Sequence, residues 1–409
     1  MRALWISHFV PWPLRGGAYL RSYHLLAELA REAEVSFVTL RSRTGPGATV
    51  LDGAREALEA HCERVRILDI PAERLPFARE TIVARSLVSG SYDEVWLRSR
   101  SMAAAVAEEV ASFRPSLVYF DTIGLSQYAR GMAGLPLVMN HHNVESHMMR
   151  RRAAAARNPV LRSILAVQAR RLEAAEAATA RTFDLHLAVS VLDRERLAAI
   201  HPGIRAEVVP NGTDTDYFAA RGSAEPLVPE SLVFVGGLHW YPNRSAVEWL
   251  LREVVPMLRA RRPGFRLTVV GKAPTAEMLR IAREDPRIRL VGEAEDIRPF
   301  VRESAVFACP MHEGGGTRLK ILDAMAQGVP VVATSMAVEG IDVVDGDSAL
   351  LADDPSRFVD ALIRVFDDRA LGERLSRRAR AIVEREFAWP DVGERFRAAC
   401  REAMERRAS

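Results

Sequence analysis

From end to end, the chain alternates short apolar runs with amphipathic helical stretches. In the first half the strand candidates are residues 3–8, 35–40, 65–70, 117–121, 137–140, 185–190 and 206–209. In the second half they are 232–235, 267–270, 288–291, 306–310, 329–334 and 349–352. Such alternation predicts an α/β fold: a parallel sheet with helices on both faces. A chain of 409 residues exceeds one ordinary core and suits two domains of roughly 150–200 residues each. We therefore expect two Rossmann-like, doubly wound domains facing each other across a cleft. The break falls near VVPNGTDTDY (208–217), where Pro210, Asn211 and Gly212 supply turn conformations. A loose Gly/Pro/Ser-rich stretch at 220–230 extends the linker. The expected domains are 1–210 and 211–388, with 389–409 a charged amphipathic helix packing back across them.

Composition narrows the function classes. The chain is 48% hydrophobic and 27% charged, as in a soluble globular protein. Its net charge of +3 gives no nucleic-acid footprint. Of 56 basic residues only Lys272 and Lys320 are lysine, a bias that codon usage explains. The two survivors stand out because each lies in or directly after a glycine-rich segment. Cys62, Cys309 and Cys400 are odd in number and lack a CxxC, which fits a reducing compartment and no zinc site. The N-terminus has no leader-like apolar region, and no run of about 18 apolar residues exists. A cytoplasmic protein is the expectation. Residues 148–181 form a long helical stretch with eight arginines and two glutamates. Two readings stay open for it: a solvated face, or a basic surface leaning on anionic lipid at the inner membrane face.

Ligands of parallel α/β sheets bind where strand ends meet helix N-termini, and amides there favour phosphate. Three glycine loops qualify. The first, PWPLRGGAYLR (11–21), offers Gly16 and Gly17, or is a plain strand-to-helix turn; it lacks GxGxxG. The second, VGGLHWYPNR (235–244), offers Gly236 and Gly237, with His239, Trp240 and Tyr241 either stacking on a ligand ring or packing the loop. The third, HEGGGTRLKILD (312–323), is the most informative. Gly314, Gly315 and Gly316 would weaken any regular element and make sense where backbone approaches a ligand. Thr317 is placed to cap the following helix, with Arg318 and Lys320 in its first turn. Cations there oppose the helix dipole unless an anion such as a diphosphate sits between them. Asp323, about one turn beyond Lys320, can accept hydrogen bonds from a ribose diol. The loop is not a P-loop, since GxxxxGK[ST] is absent. Asp214-Thr215-Asp216 is a DxD in a linker, and no metal site is expected from it.

These segments together resemble the large retaining glycosyltransferase family 4, of the GT-B fold, over nearly the whole chain. The marks are Gly16–Gly17, HHNVE (141–145), VVPNGTD (208–214), VGGLHWYPN (235–243) and GGGTRLKILDAMAQGVPVVAT (314–334). The last looks like a subgroup carrying GGGTRLKILEA. The resemblance implies an acceptor-binding N-terminal domain, a donor-binding C-terminal domain and retention without metal. It implies no cofactor beyond a nucleotide-diphosphate sugar donor, and a glycan, lipid-linked or other hydroxyl acceptor. Asp323 matches the second acid of the family's E-x7-E motif. The first acid would fall at Gly315; Glu313, two residues away, is the candidate to touch sugar hydroxyls. Gly237 stands where the family has Arg, and Asn243 or Arg244 near its Lys, leaving Arg318 and Lys320 to take the diphosphate. His142 matches the histidine near the donor sugar, and Glu339 and Gly340 match a donor-side loop. Two other readings are a nucleotide-sugar epimerase of the same fold and a non-catalytic nucleotide-sugar binding protein.

Overall fold

The computed structural model describes residues 1–14, 16–43, 52–220, 222 and 227–408. Within the loose stretch 220–230, residues 221 and 223–226 lie outside the described residues, and 228–230 already belong to a strand. The chain divides into two compact units, Met1–Asn211 with Pro390–Ser409, and Gly212–Trp389.

The N-terminal unit holds a seven-stranded, all-parallel sheet: β1 (Arg2–Ser7), β2 (Glu34–Arg41), β3 (Arg64–Asp69), β4 (Leu117–Phe120), β5 (Leu137–Asn140), β6 (Leu185–Ala188) and β7 (Ala206–Val208). Their spatial order is β3-β2-β1-β4-β5-β6-β7. The central strands are apolar on both faces because helices cover both. On one face Leu4, Ile6, Val118, Phe120 and Met139 pack with Met102, Val106 and Leu172. On the other, Trp5 stacks on Tyr119 at 3.8 Å between ring centroids. The edge of Phe396, from the terminal helix Trp389–Ala408, meets Tyr119 at 5.7 Å. Gly393 lets that helix lie against the Glu28 side chain of helix Gly17–Ala30, where a β-carbon would collide with it. Arg397 pairs with Glu28 and, at 3.1 Å, with Glu32.

The basic stretch 148–181 is not one helix. It falls in helices Glu145–Ala155 and Pro159–Thr179. Pro159 disfavours helical backbone at the residue before it, and Asn158 caps the second helix by accepting from the amides of Val160 and Leu161.

The C-terminal unit repeats the plan with β8 (Val228–Val235), β9 (Arg266–Val270), β10 (Ile288–Gly292), β11 (Ser304–Cys309), β12 (Val331–Ala333) and β13 (Leu350–Leu351). Their order is β10-β9-β8-β11-β12-β13, again parallel throughout. Each sheet thus reverses its winding once, between β1 and β4 and between β8 and β11. Ligands of doubly wound folds bind outside the carboxyl ends of the strands at such a point.

Candidate functional site

At the β8/β11 switch point two glycine loops meet. Gly236 follows β8 with φ 157°, and Gly314 and Gly316 follow β11 with φ 109° and 67°, which side chains other than glycine's resist. A β-carbon on Gly236 would stand 2.5 Å from Lys320 Nζ and 2.7 Å from Asn243 Nδ2. The loop backbone is therefore laid directly on these two groups. Gly237 lets the His239 ring lie against it in the same way, at 2.6 Å from a would-be β-carbon. Burial lowers the basicity of that imidazole, and Lys272 adds to the effect.

Lys320 carries the chemistry of the loop. Its Nζ donates to Asn243 Oδ1 at 2.5 Å and lies 4.5 Å from the Phe234 ring centroid. Burial pulls its pKa down to about 8, with Cys309 and Arg318 the charged or ionisable neighbours that act on it. An amide and a ring face are neutral partners; neither cancels a desolvated positive charge.

Arg318 behaves differently. The helix starts at Leu319 with Arg318 at its N-cap, without a side-chain cap bond. This corrects the expectation that Thr317 caps the helix and that Arg318 lies in its first turn. The Arg318 guanidinium folds back onto the carbonyls of Gly315 and Gly316. It braces the glycine turn and is itself buried.

Asp323 is also buried, and Thr213 Oγ1 donates to its Oδ1 at 2.7 Å. Burial pushes its carboxyl up to about 7. Thr213 comes from the PNGTD segment, which the sequence marks as a motif without assigning this residue a partner. Glu313 accepts from Ser245 at 3.4 Å, so it stands beside the helix Tyr241–Trp249 that follows the Gly236 loop. Glu339 and Gly340 lie in the turn after β12, where Gly340 has φ 81°. Asp214 Oδ1 accepts the amides of Asp216 and Tyr217 at 3.1 and 2.8 Å, so the DxD forms a local turn.

In the N-terminal unit Gly16 precedes helix Gly17–Ala30 with φ 137°. His141 and His142 point apart. His141 is buried and bonds His186 at 3.0 Å, and burial holds its pKa well below the usual range. His142 Nε2 lies 3.2 Å from Asp121 Oδ1. Asp121, Arg21 and Asn140 are fully buried around it. The sequence reading passes over these three. Asp121 shows there only as a polar residue ending the apolar run LVYF, which is its one visible signal.

With this geometry in place, residues 229–368 match the model of the family described as glycosyl transferases group 1. Phosphatidyl-myo-inositol mannosyltransferase of Mycobacterium tuberculosis is 29% identical over 206 residues, covering 47% of this chain and 53% of the relative. The curated relative that matches over 140 residues at 31% identity is an uncharacterized protein of the Klebsiella pneumoniae cps region, of which 36% is covered. The chain thus spans about a third to a half of the length of these curated relatives. Likeness in shape is far more extensive. Sucrose-phosphate synthase from Thermosynechococcus elongatus superimposes with TM-score 0.74 over 99% of this chain and all of the other, at 17% identity. Anabaena HepE, solved in complex with UDP-glucose, does so with TM-score 0.67 over 98% of this chain and all of the other, at 15% identity. Two Rossmann-like parallel-sheet units with these neighbours define the GT-B fold. The segment carrying Lys320 and Asp323 falls inside the matched group 1 region.

Proposed function

We propose that the protein is a glycosyltransferase of family 4 that moves a sugar from a nucleoside-diphosphate donor, held by the C-terminal unit, to a hydroxyl of a glycan or lipid-linked acceptor. The observation that carries this reading is the Lys320 ammonium, pressed against glycine backbone at the β8/β11 switch point with a neutral amide as its hydrogen-bonding partner among the described residues. A diphosphate is the counter-ion that such a place fits. Asp323 with Thr213 takes the donor ribose, and Glu313 with Glu339 and Gly340 takes sugar hydroxyls. The match of residues 229–368 and the UDP-glucose bound by HepE both support a nucleotide-sugar donor.

The leaving β-phosphate gains charge as the glycosidic C1–O bond breaks. Lys320 and the amides that open helix Leu319–Ala326 stabilise it, each such preorganised donor being worth on the order of 3–4 kcal/mol. No metal is required in this scheme. The acceptor oxygen attacks C1 from the face the phosphate leaves, and its proton passes to a β-phosphate oxygen, so the anomeric configuration is retained. Assays with a panel of nucleotide sugars test the reading directly. We expect one donor to give transfer that survives a chelator, with a product of the donor's anomeric configuration by NMR. Affinity without turnover for every donor would mark a binding protein instead, and an inverted product would remove the front-face scheme.

For the basic stretch 148–181 we propose peripheral contact with anionic lipid at the inner membrane face. Val160 and Leu161 are exposed at the start of the second helix. Sedimentation with phosphatidylglycerol but not phosphatidylcholine vesicles is the expected result. Among the described residues no helix is long and apolar enough to cross a membrane.

A further inference from the structure

The β1/β4 switch point of the N-terminal unit buries a negative charge in a shell of donors. Asp121, the residue after β4, is 0% exposed. Ser22 Oγ donates to its Oδ2 at 2.7 Å, and Ser7 Oγ lies 3.1 Å from the same oxygen. Asn140 Nδ2 donates to Oδ1 at 3.1 Å, and His142 Nε2 reaches that oxygen at 3.2 Å. Burial pushes the Asp121 carboxyl up, but His142, His8 and the Ser22 hydroxyl outweigh it and hold the group below the usual carboxylate range. Tyr119 and Arg21 are the other ionisable groups beside it.

The hydrogen-bond pattern assigns Nε2 of His142 as the donor to the carboxylate. Asn140 Oδ1 accepts from Arg21 Nε at 3.1 Å and Nη2 at 2.8 Å. The amide is thereby fixed with its NH2 towards Asp121. Asn140 Nδ2 is also 3.3 Å from His142 Nε2 and has a second hydrogen, but a bare Nε2 would set its lone pair against the carboxylate oxygen 3.2 Å away. A charged acceptor outcompetes a neutral one, because hydrogen bonds to ionised groups are about twice as strong. Nε2 therefore carries a proton, and in the neutral form of the ring the lone pair is on Nδ1.

We infer that Asp121 is a positioning residue of the transfer reaction: it locks His142 in the tautomer whose Nδ1 accepts a hydrogen bond from a substrate hydroxyl. The inference rests on the transferase reading above. It names the group that His142 recognises, a hydroxyl donor such as a sugar alcohol, and excludes a carbonyl or phosphate oxygen, which would need an N–H. Ser7, Ser22 and Asn140 act one step further out by orienting the carboxylate.

The test uses full-length protein with 15N-labelled histidine, and His142→Gln identifies the His142 ring signals. In the parent protein those signals should show a protonated Nε2 and a bare Nδ1. In Asp121→Asn the amide oxygen has to stay towards Asn140 Nδ2 and Nε2, so only a neutral acceptor, about half as strong, holds the tautomer, and signals of a bare Nε2 should appear beside the parent ones. With an active donor–acceptor pair, kcat should fall by roughly two orders of magnitude while KM for the donor changes little. Ser22→Ala, which keeps the charge, is the second variant if Asp121→Asn fails to fold, and it should give a smaller kcat loss of the same kind. A parent ring with bare Nε2, or either folded variant with parent kcat, overturns the inference while leaving the transferase reading intact. Absence of transfer by the parent protein with every donor overturns the transferase reading, and with it the catalytic role of the pair.

Discussion

The two switch points hold opposite charges and treat them in opposite ways. In the N-terminal unit Asp121 is completely buried, yet four side chains point hydrogen-bonding groups at it. In the C-terminal unit the Lys320 ammonium meets one amide oxygen and one aromatic face. Both sit at the same topological position of the same kind of sheet. A buried charge with a full shell is part of the architecture, whereas one left without an opposite charge waits for a ligand to supply it. The difference is the ground, independent of any motif, on which we propose the C-terminal switch point as the diphosphate site.

The sharpest way to break this contrast is to remove each charge in turn. Lys320→Met keeps a flexible stem and deletes the ammonium. Turnover with the active donor should fall by about 10²–10³, the scale of losing one preorganised donor to a developing anion. Its thermal midpoint should hold steady or rise, because the folded state no longer carries an uncompensated cation. A variant that lost stability along with activity would show that Lys320 is structural. Asp121→Ala should show the reverse pattern in stability. It orphans Ser22, Asn140 and His142, and breaking a buried charged cluster costs about 3–5 kcal/mol, readable by denaturant titration. An Asp121→Ala variant as stable as the parent would place that charge on the ligand side of the comparison too.

The sequence made the sheets legible because parallel strands are buried on both faces and read as apolar runs such as LVYF and LVMN. Boundaries slipped by one to four residues where ladder bonding, not hydropathy, decides them: β8 starts at Val228 because Pro229 and Glu230 still lie within the strand. The 148–181 stretch misled because arginine and alanine continue a helical pattern through Ala156–Asn158, while the break depends on Asn158 capping and Pro159. At the candidate site the glycines were legible, since three in a row have no place inside an element. Side-chain direction was not. Arg318 and Lys320 read as equivalent cations two residues apart, and only the fold turns one onto carbonyls and the other onto Asn243. Thr213 and Asp323 are 110 residues apart in sequence, beyond the reach of any local pattern.

A third, smaller effect follows from the lowered basicity of Lys320. Its pKa of about 8 means that the free protein loses this charge as pH rises from 7 to 9. Donor binding to the parent should then weaken by roughly tenfold across that window, measurable by calorimetry, while Lys320→Met stays flat. The stability contribution has the opposite sign. Because the folded pKa lies below the ordinary lysine value of 10.5, the cost of burying this group accumulates as pH falls from about 10.5 to about 8 and is fully present below that. A diphosphate relieves that cost by pairing with the ammonium, so binding near pH 8 should be accompanied by proton uptake.

The smallest effect concerns Asp323, which tests whether the C-terminal site also holds an uncompensated anion. Burial raises its carboxyl to about 7 against an ordinary value of 3.8. A raised folded pKa favours folding fully below the unfolded value and loses that advantage as pH climbs through the folded one. Between about pH 4 and 7 the unfolded chain is ionised while the folded chain keeps its proton, so stability should decline across this window and then level. Asp323→Asn keeps an oxygen for the Thr213 hydroxyl and abolishes the titration. Its thermal midpoint should therefore match the parent near pH 4 and exceed it at pH 8. Parallel curves for the two proteins would mean that the Asp323 carboxylate is already neutralised in the folded state. Lys320 would then be the one uncompensated charge of the pair.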